Sequence, residues 1–352
     1  MTQTPTIPVD ISDYVQYIDK DLPQPEQFNY EATRDSIRHM AFAIEDYNAL
    51  YQDAEFARTT RWAGIIAPPG YLYSHGNSVW LRQLGVIRNA EGQELAQNDN
   101  AGEEWDFYLP VRPGDTILSY GKVVDAVAKR GQRTGMMAIV TSEVRYTNQR
   151  NELVAKVRGA SIRFNREMVG ERGGMAAAYP KMEEGVTTRN VVEEEPPPSR
   201  TPSHEYHPRR YDPQLYYEDA HEDMEIPTWE IGPLSTTILG RYTAATSGGG
   251  GGVGGARQGG VIPDAFAPGV MRTPWFGSLL TRWAGPNGWI RKLTYQNREW
   301  LLVGFKAISK GKVLRKYVED GRHLVECQVW CENDLGMLTN PGAAIVELPS
   351  RS

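Results

Sequence analysis

Two stretches of this chain, far apart in sequence, end in the same way. Val144-Arg-Tyr-Thr-Asn-Gln-Arg-Asn-Glu-Leu-Val154 leads into Gly159-Ala-Ser-Ile162, and Val329-Trp-Cys-Glu-Asn-Asp-Leu-Gly-Met-Leu-Thr339 leads into Gly342-Ala-Ala-Ile345. A supersecondary unit that occurs twice restricts the fold more than any composition can. Each copy follows the same order: a helix-like run, a Gly/Pro corner, an amphipathic run, then strand-like runs. In the first copy the spacing predicts a helix from Thr33 to Tyr51, with Thr33 as N-cap and Ile37, Met40, Ile44 and Tyr47 on one stripe. The corner Gly64-Ile-Ile-Ala-Pro-Pro-Gly70 follows, then a helix-like run from Tyr71 to Leu84. Strand-like runs cover Trp105–Val111, Ile117–Val127, Met136–Asn148 and Leu153–Phe164, with Pro113-Gly114-Asp115 as a turn. In the second copy a helix is predicted over Ser235–Ala245, followed by Ala267-Pro268-Gly269, an amphipathic run through Trp283 and strands between Trp300 and Ile345.

With 352 residues the natural expectation is two domains. Residues 1–170 form the first, 171–225 an extended linker rich in Glu and Pro that wraps the surface, and 226–352 the second. The apolar share is 40% and the charged share 23%, with nine Trp and eighteen Tyr, so the chain is globular. The 38 Lys and Arg form no long block against a net charge of -6, which argues against a nucleic-acid partner. No apolar run approaches the roughly 18 residues of a membrane span and no secretory leader is evident, so the reading is a cytoplasmic protein without a membrane partner. Cys327 and Cys331, four apart on a strand, lie roughly 13 Å from each other and cannot pair. The histidines show no metal-ligand spacing, so no metal site is expected.

Between the predicted helix and Ala267 lies Ser247–Gly260, in which nine of fourteen residues are glycine. Gly249, Gly251 and Gly254 satisfy G-x-G-x-x-G. That motif marks a dinucleotide site only between a strand and a helix, and here a helix precedes it. Two readings stay open for the run: a flexible surface loop, or a binding loop emptied of side chains.

Glu45–Arg58, Trp62–Pro69 and Pro110–Asp115 in the first half, with Gly232–Ser235, Ala267–Gly269 and Leu279–Gly285 in the second, together carry a family resemblance. The sequence resembles the MaoC-like acyl-thioester dehydratases and hydratases in their double hot-dog form, with a FAS1-like dehydratase N-terminal half. The resemblance implies an α+β double hot-dog, each unit a curved antiparallel sheet wrapped around a central helix. It implies acyl-CoA or acyl-carrier-protein thioesters as ligands, coenzyme A entering as substrate rather than as cofactor, and a homo-oligomer or a pairing with another hot-dog subunit. The family's reaction is reversible hydration of a 2-enoyl thioester, carried by an Asp and a His five residues later that hold the water. Backbone N–H groups at a helix N-terminus polarise the thioester oxygen.

The sequence departs from that pattern where the chemistry sits. In the second half Gly249 stands at the Asp position and Gly254 at the His position. The first half keeps Asp46, with Asn48 nearby, but has Tyr51 in place of the histidine. A tyrosine donates or orients near pH 7 and is a poor base, so Asp46 has to carry the proton transfer. Against this stand plain structural readings: Asp46 as a helix-end residue bonded to nearby backbone, Tyr51 as a packed aromatic, and His75 as an ordinary buried histidine. The acyl pocket is expected to involve Asn48, Pro68, Pro69, Gly70, His75, Gly249, Gly254, Pro268 and Gly269. Two functional readings follow: a hydro-lyase with non-standard residues, or a catalytically silent acyl-thioester-binding subunit whose partner supplies the missing pair. Altered chemistry on a related thioester is a third, carried only by the loss of those residues.

Overall fold

The computed structural model describes residues 9–23, 27–76, 84–95, 97–131, 135–165, 208–246 and 266–351. Gly249, Gly254 and the whole glycine run lie outside them, as do His204, His207 and most of the predicted linker.

The elements follow in chain order as β1 (Val9–Asp10), α1 (Ser12–Val15), β2 (Leu22–Pro23), α2 (Arg34–Ala43), α3 (Ala49–Gln52), α4 (Ala54–Arg58) and β3 (Arg88–Asn89). Then come β4 (Gln97–Phe107), β5 (Leu118–Gly131), β6 (Gly135–Thr147), β7 (Leu153–Phe164), β8 (Glu225–Ile231), α5 (Thr236–Thr246) and α6 (Arg272–Ala284). The chain closes with β9 (Trp289–Gln296), β10 (Ala307–Glu319), β11 (Arg322–Glu332) and β12 (Leu338–Glu347).

Ten strands form one antiparallel sheet in the order β2-β5-β6-β7-β4-β9-β12-β11-β10-β8. Read outward from its centre, each half repeats one arrangement: β4-β7-β6-β5-β2 on one side and β9-β12-β11-β10-β8 on the other. The similar closing stretches therefore occupy equivalent strands, β6–β7 and β11–β12. The halves join where β4 pairs with β9, and Glu103 lies directly opposite Tyr295. Alternation of buried and accessible residues along β5 and β10 turns one face inward. Helix α6 is buried nearly all round, with Trp275, Phe276, Leu279 and Leu280 among its buried residues, as befits a central helix wrapped by a sheet. Cys327 and Cys331 are both buried and free on β11. No helix among the described residues is long and apolar enough to cross a membrane.

Three expectations need correction. The helix predicted from Thr33 to Tyr51 stops at Ala43 and resumes as α3. The described start of the run from Tyr71 is a 3-10 turn over Tyr71–His75, and residues 77–83 of the expected helix lie outside the described residues. The first long strand is Gln97–Phe107 rather than Trp105–Val111. Strand β9 was not anticipated at all, and it is the strand that joins the halves.

Candidate active site

Thr33 caps α2 through a capping box: its hydroxyl accepts from Ser36 N at 3.0 Å, and Ser36 Oγ accepts from Thr33 N at 3.0 Å. At the other end Glu45 N donates to Phe42 O at 3.1 Å and Asp46 N donates to Ala41 O at 2.9 Å. This is a Schellman stop, and Glu45 takes its left-handed position at φ 57° where glycine is usual. The reversal turns Asp46 inward to complete burial. Asp46 Oδ1 accepts from Asn48 N at 3.3 Å, the local bond expected of a helix-end aspartate.

Asn48 caps α3. Its Oδ1 accepts from Leu50 N at 2.9 Å, and its Nδ2 donates to Asp212 Oδ2 at 3.1 Å. Both polar ends are thus engaged within the protein. The end of the predicted linker closes over this corner. Arg210 N donates to Tyr47 O and Ala49 N to Arg210 O, each at 2.9 Å. Arg210 Nη2 lies 2.9 Å from Asp46 Oδ1, a charge contact rather than an aligned hydrogen bond, and Nε donates to Asp212 at 2.7 Å. Burial works against the Arg210 cation, but the Asp46 and Asp212 carboxylates outweigh it and raise its pKa. Burial raises the pKa of Asp212. Arg210 and Arg282 both stack on Trp229, at 5.3 and 5.5 Å. Sequence reasoning missed Arg210 and Asp212, which sit in a stretch without periodicity and meet their partners only in the fold.

Tyr51 is buried, and burial first, then the Asp46 charge, lifts its pKa well above 10. It therefore stays protonated at neutral pH. Its hydroxyl and Asp46 Oδ2 make no hydrogen bond with any described residue, although Thr281 stands beside the hydroxyl. Tyr51 also lines an apolar pocket with Pro68, Pro69 and Gly70 from its own half and Thr281, Ala284 and Trp289 from the other. The cavity measures about 40 Å3, enough for water, so an acyl chain requires its wall to part. Asp46 is not on that wall, though its charge acts on Tyr51.

The wall depends on two close approaches between the halves. Gly70 has φ 88°, and a Cβ there would lie 3.0 Å from Pro274. A Cβ on Gly277 of α6 would lie 2.5 Å from Pro69. Alongside, Trp62 Nε1 donates to Pro286 O at 2.7 Å and its ring packs on Trp289 at 5.0 Å.

The other expected pocket residues lie apart. His75 is buried against Ser74, whose hydroxyl is 3.1 Å from Nδ1, and against the Tyr71 ring; it is not on the pocket wall. Burial pushes its pKa down to about 4. Pro268 accepts from Arg272 Nη1 at 3.2 Å, and Gly269 packs where a Cβ would meet Asn297 at 2.3 Å. Neither lines the pocket that holds Tyr51. A second buried polar centre, also missed from sequence, is Glu103. Its Oε2 accepts from Tyr295 Oη at 2.8 Å, Trp105 Nε1 at 3.0 Å, Thr273 Oγ1 at 3.3 Å and also Tyr73 Oη, tying both halves to one carboxylate. Among the described residues no group of three His, Cys, Asp or Glu side chains is placed to hold a metal ion.

An antiparallel sheet of two like halves, with the buried helix α6 packed against β8, β9 and β10, has the double hot-dog architecture. The profile of the FAS1-like dehydratase domain region matches residues 23–157. A UPF0336 protein of Streptomyces griseus is 33% identical over 103 residues, covering 28% of this chain and 66% of that one. A UPF0336 protein of Streptomyces coelicolor is 30% identical over 108 residues, covering 30% of this chain and 69% of that one. A Thermomonospora curvata protein named "Probable enoyl-CoA hydratase alpha subunit" is 25% identical over 158 residues, covering 42% and 50%. The chain thus matches about two thirds of the length of the first two relatives and half of the third. Among solved structures, a MaoC-like dehydratase superposes with a TM-score of 0.68 at 14% identity, covering 95% of this chain and 99% of the other. A Mycobacterium tuberculosis protein with a double hot-dog fold gives 0.60 at 12% identity, covering 95% and 98%. The chain belongs with the UPF0336 proteins through its Streptomyces coelicolor relative, carries a FAS1-like dehydratase region over residues 23–157, and has the double hot-dog fold of the MaoC-like dehydratase structure.

Proposed function

We propose that this chain is a hydro-lyase acting on an acyl thioester, interconverting a 2-enoyl and a 3-hydroxyacyl group at the Asp46–Tyr51 corner. One observation carries the reading: a carboxylate oxygen of Asp46 and the Tyr51 hydroxyl are both buried and without hydrogen-bond partners among the described residues, the Asp46 charge acts on Tyr51, and Tyr51 lines an apolar pocket. Buried polar groups are rarely left so, and the pair offers one acceptor and one donor to a water. In hydration the water oxygen bonds to the β-carbon and its proton passes to Asp46. The electron pair of the double bond moves into the thioester enolate, which then recovers a proton at the α-carbon from Asp46. Tyr51 stays protonated and holds the water by donating to it. The carrier is coenzyme A or an acyl-carrier protein, and the protein works in the cytoplasm.

The test is turnover of a 2-enoyl-CoA by the purified chain and by Asp46→Asn. A drop of at least about 100-fold in kcat is expected, the scale of a lost acid–base group; undiminished turnover excludes this site.

A second reading has its own observation. Asp46 is paired with Arg210 and stands off the pocket wall, and a tyrosine replaces the histidine. These favour an acyl-thioester-binding subunit that works with a partner hot-dog protein, in keeping with the word "subunit" in the name of the Thermomonospora relative. Activity that appears only when a partner is added selects it.

A further inference from the structure

The segment 208–215 belongs to neither set of sheet strands, yet it is fastened across both halves. Arg209 Nη1 lies 2.9 Å from Asp53, and Tyr211 Oη donates to the same carboxylate at 2.9 Å. Gln214 Nε2 donates to Ala284 O at 2.9 Å, and Pro213 O lies where a Cβ on Gly285 would be 2.5 Å away. Within this strap the guanidinium of Arg210 sits between two carboxylates, Asp46 on one side and Asp212 on the other. The remaining charged or titratable groups around the corner are Tyr51, Arg282 and the more distant pair of Glu45 with Arg241 at 3.8 Å.

We infer that Arg210 is a positioning residue for Asp46: by engaging Oδ1 it fixes the carboxylate so that Oδ2 alone is presented to the reacting water. The inference rests on the hydro-lyase reading above. Three features carry it. Oδ1 is held twice, by Arg210 at 2.9 Å and by Asn48 N at 3.3 Å, whereas Oδ2 is held by no described residue. Arg210 is itself held in place, by Asp212 through Nε, by Trp229 beneath its plane, and by two backbone hydrogen bonds to Tyr47 and Ala49. Asp212 is anchored in turn by Asn48, the cap of the short helix that carries Tyr51. The strap thus connects the base and the tyrosine through one rigid chain of contacts, and the interdomain segment becomes part of the site.

The experiment compares wild type, Arg210→Gln, Arg210→Lys and Asp46→Asn in steady-state hydration of a 2-enoyl-CoA, with a crystal structure of Arg210→Gln. A misdirected carboxylate is expected to lower kcat by about 100-fold with KM within about twofold, since geometry at the reacting atoms is what is lost. Arg210→Lys, which keeps a cation at Oδ1 but not the fork, is expected to recover about tenfold of that loss. The Asp46 carboxylate is expected to be turned from its wild-type orientation in Arg210→Gln. Normal kcat in a folded Arg210→Gln, a loss expressed only in KM, or an unmoved Asp46 overturns the inference while leaving the hydro-lyase reading intact. An inactive wild type, or an active Asp46→Asn, removes that reading itself and the inference with it.

Discussion

Arg210 Nη2 stands 2.9 Å from Asp46 Oδ1, and the two residues come from segments that sequence alone places in different parts of the molecule. The contact makes the aspartate proposed as the base part of a three-member charge array with Asp212. A buried pair of this kind contributes little net stability, because desolvation offsets attraction, yet breaking one side is costly. Its more specific effect is geometric, since it decides which carboxylate oxygen is free.

The stop at the end of α2 gives a prediction about stability. Glu45 holds φ 57° at a position where a left-handed residue is required and a side chain is unfavourable. Its contact with Arg241 at 3.8 Å is about a third exposed and worth little. Glu45→Gly is expected to raise unfolding free energy by about 0.5 kcal/mol, the strain relief outweighing the extra freedom of the unfolded glycine. Denaturant melts measure it, and a clear loss of stability contradicts the assignment of this stop.

Gly277 tests the contact between the halves. Its position on α6 leaves 2.5 Å between an added methyl carbon and Pro69. Gly277→Ala, normally favourable in a helix, is expected here to destabilise by about 1–3 kcal/mol through overpacking. A thermal melt showing stabilisation would mean that the Pro68–Gly70 loop does not rest on α6.

His75 sets a pH dependence. Its folded pKa of about 4 lies below the ordinary 6.5 because burial disfavours the cation. The unfolded chain then binds more protons than the folded one between these values. Stability attributable to His75 is full above about pH 6.5 and is lost as pH falls toward 4, by about 1.4 kcal/mol per unit at most. His75→Gln should flatten the dependence of Tm on pH across that window. An identical slope in both proteins rules out His75 as the group responsible.

Much of the architecture could be read before folding, because period-two alternation survives along β6, β7, β11 and β12 and the two halves repeat it. The parts that escaped have local causes. Helix α2 ends without a glycine, so nothing in the sequence marks Glu45 as its stop. Strand β9 has a register shift between its pairs Lys292–Ile345 and Ile290–Val346, which leaves Arg291 as a bulge and breaks the alternation. Strand β4 begins in the polar run Gln-Asn-Asp-Asn and bends at Gly102, where φ is 142° and a Cβ would lie 2.2 Å from Tyr295 O.

The site was legible only in part. Asp46 and Tyr51 are candidates through the family pattern, the Asp46 charge acts on the buried Tyr51, and the local bond of Asp46 to Asn48 N was expected from its place at a helix end. Pro68, Pro69 and Gly70 line the pocket with Tyr51, whereas His75, Pro268 and Gly269 do not. Arg210 carried no signal, because a contact such as Asn48 with Asp212, 164 residues apart, leaves no periodicity to detect.

The most direct measurement is a crystal structure of the chain with a 3-hydroxyacyl-CoA bound. The account predicts the acyl chain in the pocket between Pro69 and Trp289, with its β-hydroxyl oxygen between Asp46 Oδ2 and the Tyr51 hydroxyl, about 3 Å from each. An acyl β-carbon lodged in the C-terminal half, out of reach of both side chains, contradicts it.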